Sequence, residues 1–380
     1  MKIVAKTLPG LEGVLAEELR DFGFENIEEI TRGVKAEGDK KQLYRANISC
    51  RTALKILVPL KSFEANNEDE LYENAKKIDW ESYLDATDTF SIDFSVFSKI
   101  FTHSQYAALK VKDALVDRYR EQKGIRPSVE RRDPTIRFNL HISGNQVNIS
   151  LDSSGESLNR RGYRKGSIHG APLNEVLAAG MVMISDWNGR GTFADLFCGS
   201  GTILIEAAWY AANISPNLER KNFGFTKWKN YDPQLYNDVV AEAIESEVKS
   251  DVKYIGVDND FGAINQAKIN IKSAGLNEED FILKTASFDQ FSPEDKTGIM
   301  ISNPPYGERL DPENLEEIYA NLGTHMKHQM NGWDAWIISG SMEGLKSIGL
   351  KPFKKVPTVN AKIPCKIQGY HLFVGKRKEQ

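Results

Sequence analysis

Hydrophobic positions change their spacing more than once along this chain. KIVAKTL alternates as a strand, and GLEGVLAEELRDFG carries helical spacing with Gly23 as a stop. Two short strands follow to about residue 38, and Leu43 to Leu60 adds a helix and a strand. After the polar break EANNEDE, Glu70–Lys77 reads as a helix and Phe90–Phe97 alternates as a strand. Ser104–Lys123 shows an amphipathic helix, with Tyr106, Leu109, Ala114 and Leu115 as its apolar face. Ile136–Ser143 and Gln146–Leu151 pair as strands across a Ser-Gly-Asn turn.

Beyond about residue 170 the pattern becomes strand and helix in alternation. Helices are expected at Pro172–Ser185, Thr202–Ala212 and Ala263–Ala274. Strands are expected at Thr192–Phe197, Tyr254–Val257, Phe281–Thr285, Gly298–Ser302, Ala335–Ser339 and Tyr370–Val374. Continuous apolar strands between helices imply an α/β fold with a mostly parallel, doubly wound sheet. Residues 213–250, aromatic and polar and ending in a helix, read as an insertion into it.

Length and composition narrow the picture. A chain of 380 residues exceeds one ordinary core, so two or three domains are expected. No apolar run reaches membrane-spanning length, and the acidic N-terminal stretch lacks a signal-peptide pattern. Cys50, Cys198 and Cys365 stand far apart, which disfavours a disulfide framework or a zinc site. The cytoplasm is the expected compartment, with no metal and no membrane partner.

Net charge is −4, yet the cations cluster. Lys99 to Arg137 holds ten Lys/Arg against five Asp/Glu, and Lys346 to Lys378 holds nine and no acid. Arg160-Arg161-Gly-Tyr163-Arg164-Lys165 adds four cations and an aromatic ring. Three such clusters in an acidic protein point to a phosphate-backbone partner, with Arg160, Arg161, Tyr163 and Arg164 as contacts.

Three segments carry chemistry. In Asp195-Leu-Phe197-Cys198-Gly199-Ser200-Gly201-Thr202 a buried strand enters a Gly-x-Gly turn and then a helix. Glycines there permit close approach of a ligand to the backbone. Leu204 stands where a dinucleotide site wants a third glycine, and Asp195 would repel a phosphate but suits an ammonium. In Tyr254-Ile-Gly-Val-Asp258-Asn259, an acid ends the second strand and can accept both hydroxyls of a ribose, or cap the helix that follows. In Asn303-Pro304-Pro305-Tyr306, two prolines stiffen a loop at a strand end. The Asn303 amide oxygen and the Pro304 carbonyl can each accept a hydrogen of a base amino group, while Tyr306 stacks on the base.

Together, Asp-x-Phe-Cys-Gly-Ser-Gly-Thr and Asn-Pro-Pro-Tyr-Gly-Glu-Arg-Leu resemble the class I amino-methyltransferases that carry an N-terminal THUMP domain. Within these, the chain is similar to bacterial 23S ribosomal RNA guanine-N2 methyltransferases. The similarity extends to Arg-Gly-Tyr163-Arg164, His169-Gly-Ala-Pro172-Leu-Asn-Glu175 and Phe223-Gly-Phe-Thr-Lys-Trp228. It implies a ferredoxin-like unit at 1–43, a THUMP RNA-binding domain at 44–155, a linker at 156–170 and a Rossmann-like methyltransferase domain at 171–380. It also implies S-adenosylmethionine as cofactor and RNA as partner; a monomer is the expected state. By matching motif, Asp195, Phe197, Cys198, Gly199, Ser200, Gly201 and Thr202 would hold the methionine moiety. Asp258 and Asn259 would hold the ribose, and Asn303, Pro304, Pro305 and Tyr306 the target base. For the adenine, Ser287 stands where the family often has Asp, and Asp289 lies two residues on.

Rival readings keep part of this pattern. Adenine N6 in RNA or DNA presents a similar planar amino group, and a transfer RNA guanine is a further target. An RNA-binding assembly factor would need no intact site. A nicotinamide oxidoreductase fails on the missing third glycine.

Overall fold

The computed structural model describes residues 1–165, 173–306 and 312–373. The first part interleaves strands and helices in the order β1 (Lys2–Lys6), α1 (Glu12–Asp21), β2 (Glu25–Ile30), β3 (Gly33–Glu37), α2 (Lys40–Ser49) and β4 (Lys55–Glu64). There follow α3 (Glu68–Lys76), β5 (Thr89–Phe97), α4 (Ser104–Lys123), β6 (Ser128–Val129), β7 (Ile136–Ser143) and β8 (Gln146–Asp152). All eight strands form one sheet, ordered β2-β3-β1-β4-β8-β7-β5-β6. β4 pairs with β1 and with β8, so it joins the two halves. The expected division at 43/44 falls inside α2, an unbroken helix capped by Asp39 and Gln42.

Helix α4 buries only half of the expected stripe, Ala114 and Leu115. Ala107, Val111, Ala114, Leu115 and Tyr119 face the core, whereas Tyr106 and Leu109 are exposed. Small residues let the helix sit close to the sheet, and Leu109 borders a groove instead.

The second part contains α5 (Glu175–Ile184), β9 (Thr192–Asp195), α6 (Thr202–Ala211), α7 (Pro233–Glu245), β10 (Lys253–Asp258), α8 (Phe261–Ser273) and β11 (Phe281–Thr285). It continues with β12 (Gly298–Ser302), α9 (Pro312–Gln329), β13 (Asp334–Ser339), α10 (Met342–Ser347), β14 (Lys354–Asn360) and β15 (Ile363–His371). The sheet order is β11-β10-β9-β12-β13-β15-β14. The first five strands are parallel, and β15 and β14 add antiparallel. Helices α5 and α6 cover one face and α9 and α10 the other. The expected doubly wound sheet is present. The pattern missed β14 and most of β15, because β14 is a half-exposed edge strand and the first half of β15 is largely exposed, so neither shows the apolar run that marks a buried strand. Pro172 and Val374, expected at element ends, lie outside the described residues.

The 213–250 segment packs on the N-terminal unit. Phe225 stacks on Tyr44 at 4.3 Å, and Phe223 and Val239 join the core of α1 and α2. A second tie is polar and buried. Glu18 accepts from the backbone of Arg51 and Thr52, at 2.6 and 2.9 Å. The Arg51 guanidinium donates to the Trp209 carbonyl of α6 at 3.1 Å. Leu11 fills the space above Gly180 in α5, where a Cβ would stand 2.6 Å from it. No helix among the described residues is long and apolar enough to cross a membrane.

Candidate functional site

Strand β9 is buried along its whole length between β10 and β12. Later strands proceed to β11 on one side and to β13 on the other, so a crevice opens at the carboxyl end of β9. The chain leaves the sheet there under two tethers. Leu196 N donates to Ser302 Oγ at 2.9 Å, and Cys198 N to the Val257 carbonyl at 3.0 Å. Gly199 and Gly201 adopt φ of +51° and +82°, which suits glycine. At Gly201 space matters too, because a Cβ would meet Ala267 of α8 at 3.2 Å.

Two acids flank this turn. Asp195 is 1% exposed, and burial pushes its carboxyl up to about 7 despite bonds from the Ser302 hydroxyl and the Phe197 N–H. Asp258 accepts from Gly199 N at 2.8 Å and from Asp260 N at 3.0 Å. The cap of α8 is Asp260, which accepts from Gly262 N at 2.7 Å. Asp258 is thus left to the crevice.

The crevice encloses 460 Å³. Asp195, Phe197, Cys198, Gly199, Ser200, Thr202, Asp258, Asn259, Ser287, Asn303 and Pro305 all line it. Gly201, the residue before α6, does not line it. Asp289 is exposed and outside the lining. Among the two residues expected near an adenine, Ser287 faces the cleft, beside Phe288. That ring leans on Phe197, with centroids 5.1 Å apart. Phe288, Arg164 and Lys165 were not expected on this wall. An aromatic next to Ser287 is the only local signal for the first.

The Asn-Pro-Pro-Tyr loop leaves β12 beside Asp195. Asn303 lines the shared cleft, and its Oδ1 is buried without a hydrogen-bond partner among the described residues. Tyr319 of α9 donates to the Pro305 carbonyl at 3.2 Å and shares a 2.6 Å bond with Ser339 Oγ. Pro304 is buried and does not line the cleft. Tyr306 departs from expectation. Its ring packs over Gly340, and its hydroxyl accepts from Asn360 Nδ2 at 2.9 Å, so it faces the β14–β15 hairpin rather than the cleft. An available hydrogen-bond donor and an apolar seat draw it there. Gly307 to Leu310 lie outside the described residues.

The Arg160–Lys165 cluster also needs correction. Of its cations, only Arg160 and Lys165 are exposed. The Arg161 guanidinium is fully buried, 3.5 Å from Glu206 and bonded to the carbonyls of Leu158 and Arg51. Tyr163 is buried edge-on against Trp209. Arg164 binds Glu175 at 2.6 Å on the cleft wall. Arg161 thus ties the domains together, Tyr163 packs against α6 and α8, and Arg164 shapes the cleft wall, so none of the three stands on the open surface. Cations next to an aromatic read alike in either role. The described residues contain no group of His, Cys, Asp or Glu that could hold a metal.

Comparison with known proteins gives the context. The chain is 36% identical to the ribosomal RNA large subunit methyltransferase K/L of Pseudomonas putida strain W619, over 97% of this chain and 53% of that protein. It spans about half the length of the curated relatives it matches. Among solved structures, SMU.472 complexed with SAH superposes with a TM-score of 0.88, at 27% identity and 99% coverage of both chains. A predicted N6-adenine-specific DNA methylase from Listeria monocytogenes gives 0.86, at 29% identity, covering 98% of this chain and 96% of that one. Family models match an RlmL ferredoxin-like domain at residues 2–57 and a THUMP domain at 65–152. A third model, matching residues 161–368 and so more than half of the chain, makes this protein a member of the RMKL-like methyltransferase domain family.

Proposed function

We propose that this chain transfers a methyl group from S-adenosylmethionine to the exocyclic N2 amino group of a guanine in RNA, with 23S ribosomal RNA as substrate. The observation that carries the reading is Asn303 Oδ1, a buried acceptor without a partner among the described residues, on a side chain that lines the cleft together with Asp195 and the Gly199 turn. An orphaned acceptor costs about 1–3 kcal/mol, which a ligand hydrogen relieves.

The residues present fit the cofactor. Asp195 offers an acceptor for an ammonium, Asp258 acceptor oxygens for ribose hydroxyls, and Ser287 with Phe288 a wall for an adenine. Bound S-adenosylmethionine supplies an electrophilic methyl group. The protein's work is then positioning. Asn303 accepts one hydrogen of the base amine, which draws the nitrogen lone pair away from the ring. Tyr319 and Ser339 hold the loop still. No strong base is required, because a methylated, cationic amine releases its proton readily.

The partner follows from the front half. Lys99, Arg126, Arg131 and Arg132 are exposed and form no ion pair among the described residues. Arg131, with Lys112, lines a groove of 530 Å³ between β5 and α4 whose walls include Phe94, Leu109 and Val129. Cations beside exposed apolar side chains suit single-stranded RNA. The THUMP match and the relative's ribosomal RNA name support the same partner. Our reading is of a cytoplasmic monomer.

Asn303→Ala should abolish methyl transfer to RNA while calorimetric binding of S-adenosylhomocysteine persists; retained turnover would reject the role. Adenine N6 is the second reading, favoured by the name of the Listeria neighbour. Methylated nucleosides of RNA and DNA from a deletion strain separate the two.

A further inference from the structure

We infer that Arg164 binds the carboxylate of the cofactor's amino-acid end, opposite Asp195, so that the two side chains read its zwitterion as a pair. This rests on the cofactor reading above and assigns one more residue to it.

An amino-acid end carries an ammonium and a carboxylate on one carbon. A cleft that holds only acids would attract the first and repel the second. This cleft is lined by three acids, Asp195, Asp258 and Asp260, and its only Lys or Arg among the described residues are Arg164 and Lys165. Lys165 is exposed, whereas the Arg164 side chain is 16% exposed and fixed.

Arg164 is held by three contacts. Nε donates to Glu175 Oε1 at 2.6 Å, and Nη2 to the Leu173 carbonyl at 2.6 Å and to Thr202 Oγ1 at 3.1 Å. Those bonds use one side of the guanidinium. Nη1 makes no hydrogen bond among the described residues, and it is the group assigned to the ligand. Thr202 opens α6, so the cation stands beside free N–H groups of a helix start that also favour an anion. A pre-oriented planar guanidinium suits a carboxylate better than a mobile ammonium does.

The placement has a structural source. Arg164 follows Arg161, buried between α6 and the N-terminal unit, and Tyr163, buried against α6 and α8. The domain junction therefore fixes the segment from which Arg164 reaches the cleft.

Calorimetry on the full chain tests this with three ligands: S-adenosylhomocysteine, its decarboxylated analogue S-adenosylthiopropylamine, and 5′-methylthioadenosine, which lacks the amino-acid end. Arg164→Gln should weaken S-adenosylhomocysteine roughly ten- to hundredfold, as loss of a charge-assisted bond does, and leave the other two within about twofold. An equal loss for all three would mean that Arg164 only props up the wall, and would overturn the assignment. Wild-type protein supplies a check that needs no variant. It should prefer S-adenosylhomocysteine over the decarboxylated analogue by at least about tenfold, and equal affinities would also overturn the assignment. If the wild type binds none of the three, the cofactor reading itself fails; if it binds them and only the selectivity is missing, Arg164 alone is wrong.

Discussion

Gly199 donates its backbone N–H to Asp258 Oδ2 at 2.8 Å, joining the tips of β9 and β10 across the crevice. The glycine needs its left-handed φ to present that N–H, and the acid needs the strand end to reach it. One bond thus ties the turn that begins α6 to the loop that begins α8.

Asp258→Ala removes the acceptor for both Gly199 N and Asp260 N. We expect S-adenosylhomocysteine to bind at least about tenfold more weakly, since bonds to a charged group contribute about 1.5–3 kcal/mol each. Asp258→Asn, which keeps one acceptor oxygen, should lose less. Calorimetry decides it, and unaltered affinity in the alanine variant would remove Asp258 from the site.

The carboxyl of Asp195 titrates near 7 in the fold, above its ordinary value of 3.8, because it is buried. An acid shifted upward binds its proton more tightly folded than unfolded. Its contribution to stability is therefore most favourable below about pH 4 and declines as pH rises to about 7. Affinity for an ammonium-bearing ligand runs the other way. It should rise about tenfold from pH 6 to pH 8 as Asp195 ionises. Asp195→Asn should flatten both trends. Melting and calorimetry across pH 5–9 test this, and an unchanged slope in the variant would assign it to another group.

Arg161 and Glu206 form a fully buried pair. Removing one partner leaves an uncompensated group, so Arg161→Met should cost about 3–5 kcal/mol in denaturant unfolding. Arg161→Met with Glu206→Met should recover a good part of the loss, though not the bonds to Leu158 and Arg51. At a temperature where the single variant stays folded, RNA affinity should not change. A stable Arg161→Met protein with weak RNA binding would restore the surface role.

Gly201 and Gly124 both have positive φ, +82° and +68°, but only Gly201 faces a neighbour. Gly124→Ala should cost about 1 kcal/mol and leave cofactor affinity alone. Gly201→Ala carries the same backbone strain and also presses on Ala267. It should therefore destabilise more and weaken S-adenosylhomocysteine binding through displacement of α6 against α8. Equal behaviour of the two variants would show that the close approach is unimportant.

Arg126, Arg131 and Arg132 are exposed and make no ion pair among the described residues. Replacing all three with Glu should weaken RNA binding and shallow its salt dependence by roughly 0.7 for each phosphate no longer neutralised. Filter binding at several salt concentrations measures both, and an unchanged slope would move the RNA to another face.

Local information carried a large part of this molecule. The bounds of α4, β7, β11 and β12 follow from apolar spacing and flanking turn residues alone, because both depend on neighbours a few positions apart. The Gly199–Gly201 turn, Asp258 and the Asn303 loop were legible for the same reason, each being a short run at a strand end. What only the tertiary structure decided involves partners distant in the chain. Tyr306 turns to Asn360, 54 residues on, and Asp232 meets Tyr44 across 188 residues. Arg161, Tyr163 and Arg164 look like surface cations and an aromatic until α6 and α5 enclose them. A side chain's charge and shape are written in its residue type, but whether water or another part of the chain surrounds it is settled only by packing.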